Sequence, residues 1–239
     1  MKRILKWVGL AVLLIAALAG VVWYMAFANN SPIVDGDVVP GARTVKDGYV
    51  SAFMLDVGAG KVALIDAGHD SSGKALLSEL ARRGLPPSAV VAIFLTHGHP
   101  DHTAGCKVFP GAEIYALAAD ISLIGDAATV GHPLHDGEIT QVGDLRVETF
   151  AVPGHTAGSA VFLADGVLFF GDSAGASKEG KVMKAIRLFS KDSNENVTSL
   201  KTLVARLQPR SQEVKQLAFA HTGPLTSFQP LETFASQQR

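Results

Sequence analysis

Three imidazoles and a carboxylate fall within six residues in the run Thr96-His97-Gly98-His99-Pro100-Asp101-His102-Thr103. Further on come His155 in Pro153-Gly154-His155-Thr156, Asp172 in Gly171-Asp172-Ser173, and His221 in Ala220-His221-Thr222-Gly223. A neutral imidazole is the commonest nitrogen donor for zinc, and imidazole mixed with carboxylate suits zinc, manganese or iron. His97 and His99 are two apart, so on an extended segment both side chains point to one side and reach one ion. Asp101 and His102 follow where the chain turns towards a helix, which redirects them to a second ion. Two cations about 3.5–4 Å apart that share a water lower its pKa towards 7, and the bridging hydroxide attacks an ester, thioester, lactone or phosphoester. The same cations stabilise the charge that develops on the attacked group. Asp101 is the candidate to orient the hydroxide and pass its proton to the leaving group.

Such a cluster must be held by strand ends. Tyr49–Val57 and Val62–Ile65 read as a hairpin turned at Gly58-Ala59-Gly60 and ending at Asp66. Ser71–Arg83 has helical periodicity, with Leu76, Leu77 and Leu80 on one face, and Pro86-Pro87 stops it. Val90–Leu95 is a short buried strand that delivers Thr96-His97. Glu113–Tyr115 reads as a strand and Ala118–Ile124 as a helix. Strands at Glu138–Thr140, Leu145–Val152, Ala160–Ala164 and Val167–Phe170 follow, separated by Asp/Gly turns. Asn194–Leu207 reads as a helix and Gln216–Ala220 as a strand ending at His221. Strands and helices recur in both halves, which predicts an α/β sandwich with helices outside two sheets.

At the N-terminus a basic stretch, Met1–Lys6, precedes 22 uncharged residues, Trp7–Ala28. As a helix these span about 33 Å, against a hydrocarbon core of about 30 Å. Residues 1–28 are therefore expected to be a transmembrane anchor, with residues 4–28 in the membrane and the remainder on the far side. The alternative is a signal peptide cleaved after Ala28, where Ala26-Phe27-Ala28 forms an A-x-A site. Either places the domain outside the cytoplasm, periplasmic or extracellular. Residues 29–41 read as a linker and 42–239 as the hydrolytic domain.

The 239 residues carry a formal charge of −1. Without Lys2, Arg3 and Lys6, 18 cations face 22 anions, a balance that offers nucleic acid no basic face. A small-molecule substrate is the expected partner. Cys106, the lone cysteine, excludes an internal disulfide and reads as a small buried core residue.

The pattern over residues 42–225 resembles the metallo-β-lactamase-fold hydrolases, and more closely their glyoxalase-II-like members. Leu64-Ile65-Asp66-Ala67-Gly68, the histidine core, Pro153–Ser159, Gly171-Asp172-Ser173 and His221 carry the resemblance. It implies a four-layer αββα sandwich with the site at one edge and two divalent ions, zinc first, with iron or manganese as alternatives. It also implies that His97, His99 and His155 hold the first ion, that Asp101, His102 and His221 hold the second, that Asp172 bridges them, and that Asp66 supports the ligand loop.

Class B1 lactamases of this fold have Cys in the place of Asp172, which moves the reading away from β-lactams. Glyoxalase II has an extra C-terminal helical region, whereas this chain ends 18 residues after His221, so a glutathione-binding part is not expected. A mononuclear iron persulfide dioxygenase of the same fold is the competing enzyme, and the full second set of ligands speaks against it. A scaffold with a structural metal ranks below both, because structural sites are closed and usually rich in Cys.

His69, His132 and His135 match no ligand position. His69 could line the cleft, and the other two read as solvated loop residues. Lys178, Lys181, Lys184, Arg187 and Lys191 form a basic segment over 178–191. It reads either as one solvated face or as the holder of an anionic substrate group.

Overall fold

The computed structural model describes residues 2–238; the side chains of residues 2–6, 8–11, 19, 25 and 26 are outside that description. The chain divides into two compact units, residues 1–30 and 31–239.

In the second unit, seven strands form one sheet in sequence order: β1 (Gly36–Val39), β2 (Ala42–Asp47), β3 (Val50–Asp56), β4 (Val62–Ile65), β5 (Val90–Phe94), β6 (Glu113–Leu117) and β7 (His132–Leu134). Pairing is antiparallel from β1 to β4 and parallel from β4 to β7. A second sheet comprises β8 (Ile139–Val142), β9 (Leu145–Ala151), β10 (Ala160–Ala164), β11 (Val167–Phe169), β14 (Gln216–Ala218) and β15 (Leu225–Thr226), in the order β15-β14-β11-β10-β9-β8. A separate two-stranded ribbon pairs β12 (Ala174–Ala176) with β13 (Val182–Lys184).

The central strands β4, β10 and β11 are buried at every residue. Strands covered on both faces must be apolar throughout, so here the sequence shows apolar runs in place of alternation. One face of each sheet meets the other: Phe53 packs on Phe169 with ring centroids 5.0 Å apart, and Phe94 on Phe162 at 5.5 Å. The outer face of the first sheet is covered by α2 (Lys74–Arg82) through Leu76 and Leu80, against Met54, Leu64 and Ile93. The outer face of the second is covered by α5 (Ser193–Leu207) and α6 (Gln229–Gln237), through Leu200, Leu203, Leu207, Leu231 and Phe234. These are the four layers of an αββα sandwich. Gly84 (φ +68°) ends α2: its N–H bonds Ala81 and the next N–H, of Leu85, bonds Leu80, the closure that a left-handed residue permits.

The site follows from strand direction. β4 and β5 are parallel, so Asp66 and Thr96-His97 leave the first sheet at one edge. In the second sheet β9, β11 and β14 run the same way, β9 and β11 each antiparallel to β10 and β11 parallel to β14. His155, Asp172 and His221 therefore leave at one edge too.

Several expectations change. Gly36–Val39 is an edge strand paired with β2, so the linker expected over 29–41 does not reach β2. Ser31 is already tied in: its N–H bonds Ala176 and its carbonyl accepts from Gly223. Ala118–Ile124 is a 3-10 turn followed by a single helical turn, α4 (Ile121–Ile124), and Pro100–Thr103 is another such turn, α3. His132 lies in edge strand β7 and not in a loop, stacked on Tyr115 and 3.0 Å from Glu113. The ribbon β12–β13, whose second strand falls in the basic segment, and the C-terminal helix α6 were not anticipated.

Residues Lys2–Phe27 form helix α1. Among the described residues no helix is long and apolar enough to cross a membrane, so the expected transmembrane anchor finds no support there. The side chains of Lys2, Arg3, Lys6 and Ala26, on which orientation and cleavage were argued, lie outside the described ones.

Candidate metal centre

All seven predicted residues converge at the sheet edge, in two groups. In the first, His97 Nε2, His99 Nδ1 and His155 Nε2 form a triangle with sides of 3.0, 3.0 and 3.2 Å. The opposite ring nitrogens of two of them are already committed. The Thr96 hydroxyl donates to Asp66 (2.8 Å), so it accepts from His97 Nδ1–H (3.1 Å). The Ser190 hydroxyl donates to the Ile186 carbonyl (2.8 Å), so it accepts from His155 Nδ1–H (3.3 Å). His97 and His155 thus turn bare Nε2 lone pairs towards each other. A tetrahedral zinc ion with bonds of about 2.0–2.1 Å spaces its ligand atoms by about 3.3–3.4 Å, close to this triangle.

The second group is Asp101, His102 and His221. His102 Nδ1–H donates to Asp66 Oδ2 at 2.7 Å, and His221 Nδ1–H to the Tyr49 carbonyl at 2.9 Å, so both present Nε2 to the site. His221 Nε2 lies 3.4 Å from Asp101 Oδ2. Asp172 stands between the groups. Its Oδ2 is 3.6 Å from His155 Nε2, and its Oδ1 is 3.3 Å from His102 Nε2 and 3.1 Å from His221 Nε2. Despite that proximity, His102 Nε2 and Asp172 Oδ1 are buried without a hydrogen bond of acceptable geometry. Buried polar atoms left unpaired are costly. Here they aim at one point, as ligands of a cation do, so the donor set fits two divalent ions.

The electrostatics agree. Burial alone would lower both His102 and His221. Asp66 and Asp172 outweigh it at His102 and hold it well above the usual range; Asp172 and Asp101 raise His221 to about 10. Burial lowers His97 well below its ordinary value and His155 to about 4. Burial would raise Asp172, but His102 and His221 hold it well below the carboxylate range. Signs follow for the protein stripped of metal. Between pH ~4 and ~6.5 the unfolded chain protonates at the position of His155 while the folded chain does not, so stability rises with pH. Above ~6.5 the folded chain keeps the His221 proton that the unfolded chain loses, so stability falls towards pH ~10. Chelator-treated protein is expected to have its highest urea midpoint near pH ~6.5; a midpoint that climbs steadily from pH 5 to 9 would contradict this pairing.

Asp66 is fully buried with φ +60°, an unusual conformation for a residue other than glycine, and its carboxylate also accepts from Thr96 N–H (2.8 Å). Gly171 (φ +52°) lets the chain turn into Asp172; a Cβ there would collide with Thr96 Oγ1.

Sequence reasoning missed three participants. Asp120 is 1% exposed and accepts from Gly98 N–H (2.8 Å), Gly158 N–H (2.7 Å) and the Thr156 hydroxyl (2.7 Å). It ties the loop between His97 and His99 to the loop after His155. An aspartate inside the apolar run Ala116–Ile124 was the available signal, because a buried carboxylate must serve donors. Asp120→Ala is expected to lower unfolding free energy by about 2–4 kcal/mol and to weaken the tighter metal site about tenfold to a hundredfold. Chemical denaturation and competitive metal titration check this; wild-type values in both would remove the role. Ser190 orients His155, as above. Tyr49 lies between His69 and His221, with ring centroids 4.9 and 5.8 Å away. His69 thus reaches the site through Tyr49, and it pairs with Asp47 at 3.6 Å. Cys106 is buried, and burial pushes its thiol up to about 12. His132 and His135 contribute nothing here.

A family model described as the metallo-beta-lactamase superfamily matches residues 45–210. Hydroxyacylglutathione hydrolase of Serratia proteamaculans is 32% identical over 143 residues, 58% of this chain and 52% of that protein. The same enzyme of Xanthomonas axonopodis is 33% identical over 64% of this chain and 57% of its own length. That of Gloeobacter violaceus is 32% identical over 75% and 70%. The match thus spans little more than half of the first two relatives. Among solved structures, a metallo-beta-lactamase family protein from Thermus thermophilus has a TM-score of 0.65 at 24% identity, covering 84% of this chain and 80% of that one. A subclass B3 metallo-beta-lactamase of Bradyrhizobium japonicum has a TM-score of 0.64 at 16% identity, covering 87% and 91%.

Proposed function

This chain belongs to the metallo-beta-lactamase superfamily, and we propose that it is a binuclear metal-dependent hydrolase acting on an ester-type bond, thioester, lactone or phosphoester, of a small molecule. The observation that carries this reading is Asp172, whose two oxygens face two separate nitrogen clusters. His97, His99 and His155 would hold one ion, Asp101, His102 and His221 the other, with Asp172 shared. Divalent ions bound there supply polarisation of the attacked oxygen and acidification of water. The protein's own residues do the rest. Thr96, Ser190, Asp66 and the Tyr49 carbonyl accept from the Nδ1–H groups of His97, His155, His102 and His221 and fix these four imidazoles in the ligating tautomer. Burial would raise Asp101, but the His221 bond and His102 hold it below its ordinary value, so it is ionised and has a free lone pair for the proton of a water acidified by bound metal. It returns that proton to the leaving group, so water and ester yield acid and alcohol. Similarity to hydroxyacylglutathione hydrolases supports a thioester first among the candidates.

The test is one preparation of the full chain, with metals measured by mass spectrometry and turnover measured on thioester, lactone, phosphodiester, β-lactam and persulfide substrates. Two metals, zinc first, with ester-type hydrolysis are expected; one iron per chain with persulfide oxidation would replace the reading by a dioxygenase. Asp101→Asn is expected to lower kcat by about 10²–10⁴-fold. Full turnover in that variant would end its proton-transfer role.

Export of the domain is also proposed. Its support is the uncharged stretch Trp7–Ala28 behind a basic hexapeptide, with Trp7, Leu13, Leu14, Ile15 and Trp23 exposed on α1. Fractionation with N-terminal sequencing decides. A mature Asn29 terminus means a signal peptide, an intact leader in the membrane fraction means an anchor, and an intact leader in the cytoplasmic fraction ends the proposal.

A further inference from the structure

Beside the first group of histidines opens a cleft of about 480 Å³, lined by His99 and His155 on one side and by Leu123, Leu188, Phe189 and Lys191 on others. Its walls are unusual for this surface. Seven large apolar side chains are exposed among the described residues after residue 30, and Leu123 (46%), Leu188 (63%) and Phe189 (46%) all line this cleft. Exposed apolar groups gathered in a concave site mark ligand contact.

The charge is equally uneven. Of the five cations of the basic segment, only Lys191 lines the cleft. Asp120, the carboxylate in the lining, is spent on Gly98, Gly158 and Thr156, and the neighbouring Asp192 caps α5 through Asn194 and Glu195. Direction comes from Asp101. It sits with His102 and His221, whereas the cleft adjoins His99 and His155. On the hydrolase reading, a leaving group protonated by Asp101 would lie on the His102 and His221 side, which leaves the cleft side for the acyl portion.

We propose that the cleft receives an ester-type substrate whose acyl chain has an apolar stretch ending in an anion, with the stretch against Leu123, Leu188 and Phe189 and the anion at Lys191. This rests on the hydrolase reading and names its substrate class.

The full, metal-loaded chain is assayed with three esters of one leaving group: p-nitrophenyl acetate, p-nitrophenyl hexanoate and mono-p-nitrophenyl adipate. Each buried methylene adds about fourfold, so hexanoate should exceed acetate in kcat/KM by at least about tenfold even with partial burial. The adipate monoester should exceed hexanoate by about threefold at low salt, a gain lost at high salt as a rim charge requires. Leu188→Ser should shrink the hexanoate-to-acetate ratio. Lys191→Gln should abolish the adipate-to-hexanoate ratio, and Lys191→Arg should restore it. Both side chains are exposed, so folding is not at stake. Separately, NMR titration of metal-free and loaded protein compares the unhydrolysed amides adipamate and hexanamide, with adipamate expected to bind more tightly in a Lys191-dependent way. Hydrolysis with flat ratios, unmoved by either substitution, overturns the cleft assignment and leaves the hydrolase standing. Amide preference with no hydrolysis of these esters or of the thioester, lactone and phosphodiester substrates above upholds the cleft and overturns the hydrolase. Neither hydrolysis nor amide preference overturns both.

Discussion

Asp172→Asn is expected to lower kcat/KM by about 10³-fold or more, about 4 kcal/mol of transition-state stabilisation, and, on the binuclear proposal, to reduce bound metal from two ions to at most one. Among the described residues it is the one carboxylate with an oxygen facing each nitrogen group, Oδ2 towards His155 and Oδ1 towards His102 and His221. An amide is nearly the same shape but has one acceptor. Whichever side receives its NH₂ meets a donor where a lone pair stood, so one group loses an anionic ligand and gains a repulsive contact. The metal-free variant gives a second reading. His102 and His221 are held high partly by Asp172, so its neutralisation lets both titrate closer to the ordinary histidine range. NMR of the imidazole protons reports that shift without any turnover. Two tightly held ions together with a rate within tenfold of wild type would remove Asp172 from the bridging position.

What the sequence made legible follows from how local each feature is. The strands β3, β5 and β10 were readable because strands covered on both faces are largely apolar runs between turn residues, and β9 because Leu145 and Val147 alternate with Arg146 and Glu148. The convergence of His97, His99, His155, Asp172 and His221 was readable because each follows a strand and metal ligands need specific side chains. Edge strand β1 was misread as linker because Gly36 and Asp37 have turn-like composition, and its pairing partner β2 supplies what its own residues lack. The role of Asp120 was invisible for the opposite reason. Its partners are two glycine N–H groups and a threonine hydroxyl from segments 22–38 residues away, so the apolar run around it signals a buried carboxylate but not what it binds. The split of the basic segment was hidden likewise: Lys184 lies in ribbon strand β13 and Lys181 just before it, and neither lines the cleft, whereas Lys191 does.

Substitutions of Asp66 separate the fold from the metal centre, and two variants are expected to fail in different ways. Asp66→Ala strands three buried donors at once: Thr96 N–H (2.8 Å), the Thr96 hydroxyl (2.8 Å) and His102 Nδ1–H (2.7 Å). It also puts alanine at φ +60°, where aspartate is better tolerated. Loss of one partner of a buried ion pair and of buried acceptors costs about 3–5 kcal/mol, so the metal-free variant should unfold at a far lower urea concentration. Asp66→Asn keeps the shape, tolerates the backbone, and can still accept from Thr96 N–H through its amide oxygen. Its NH₂ then occupies the Oδ2 position, facing His102 Nδ1. The imidazole must move its proton to Nε2 and offer Nδ1 as acceptor, which removes the lone pair that faces Asp172 and His221. The same NH₂ deprives the Thr96 hydroxyl of its acceptor, so that hydroxyl turns to donate to His97 Nδ1. The asparagine variant is therefore expected to keep more stability than the alanine variant and to lose affinity about tenfold to a hundredfold at both ions. Urea denaturation of chelated protein and stepwise metal titration measure the two effects independently. Equal affinity for both ions in Asp66→Asn and wild type would mean that Asp66 serves only the fold. A large stability loss in that variant as well would mean that the charge of Asp66, and not its role as an acceptor for His102, is what the buried loop requires.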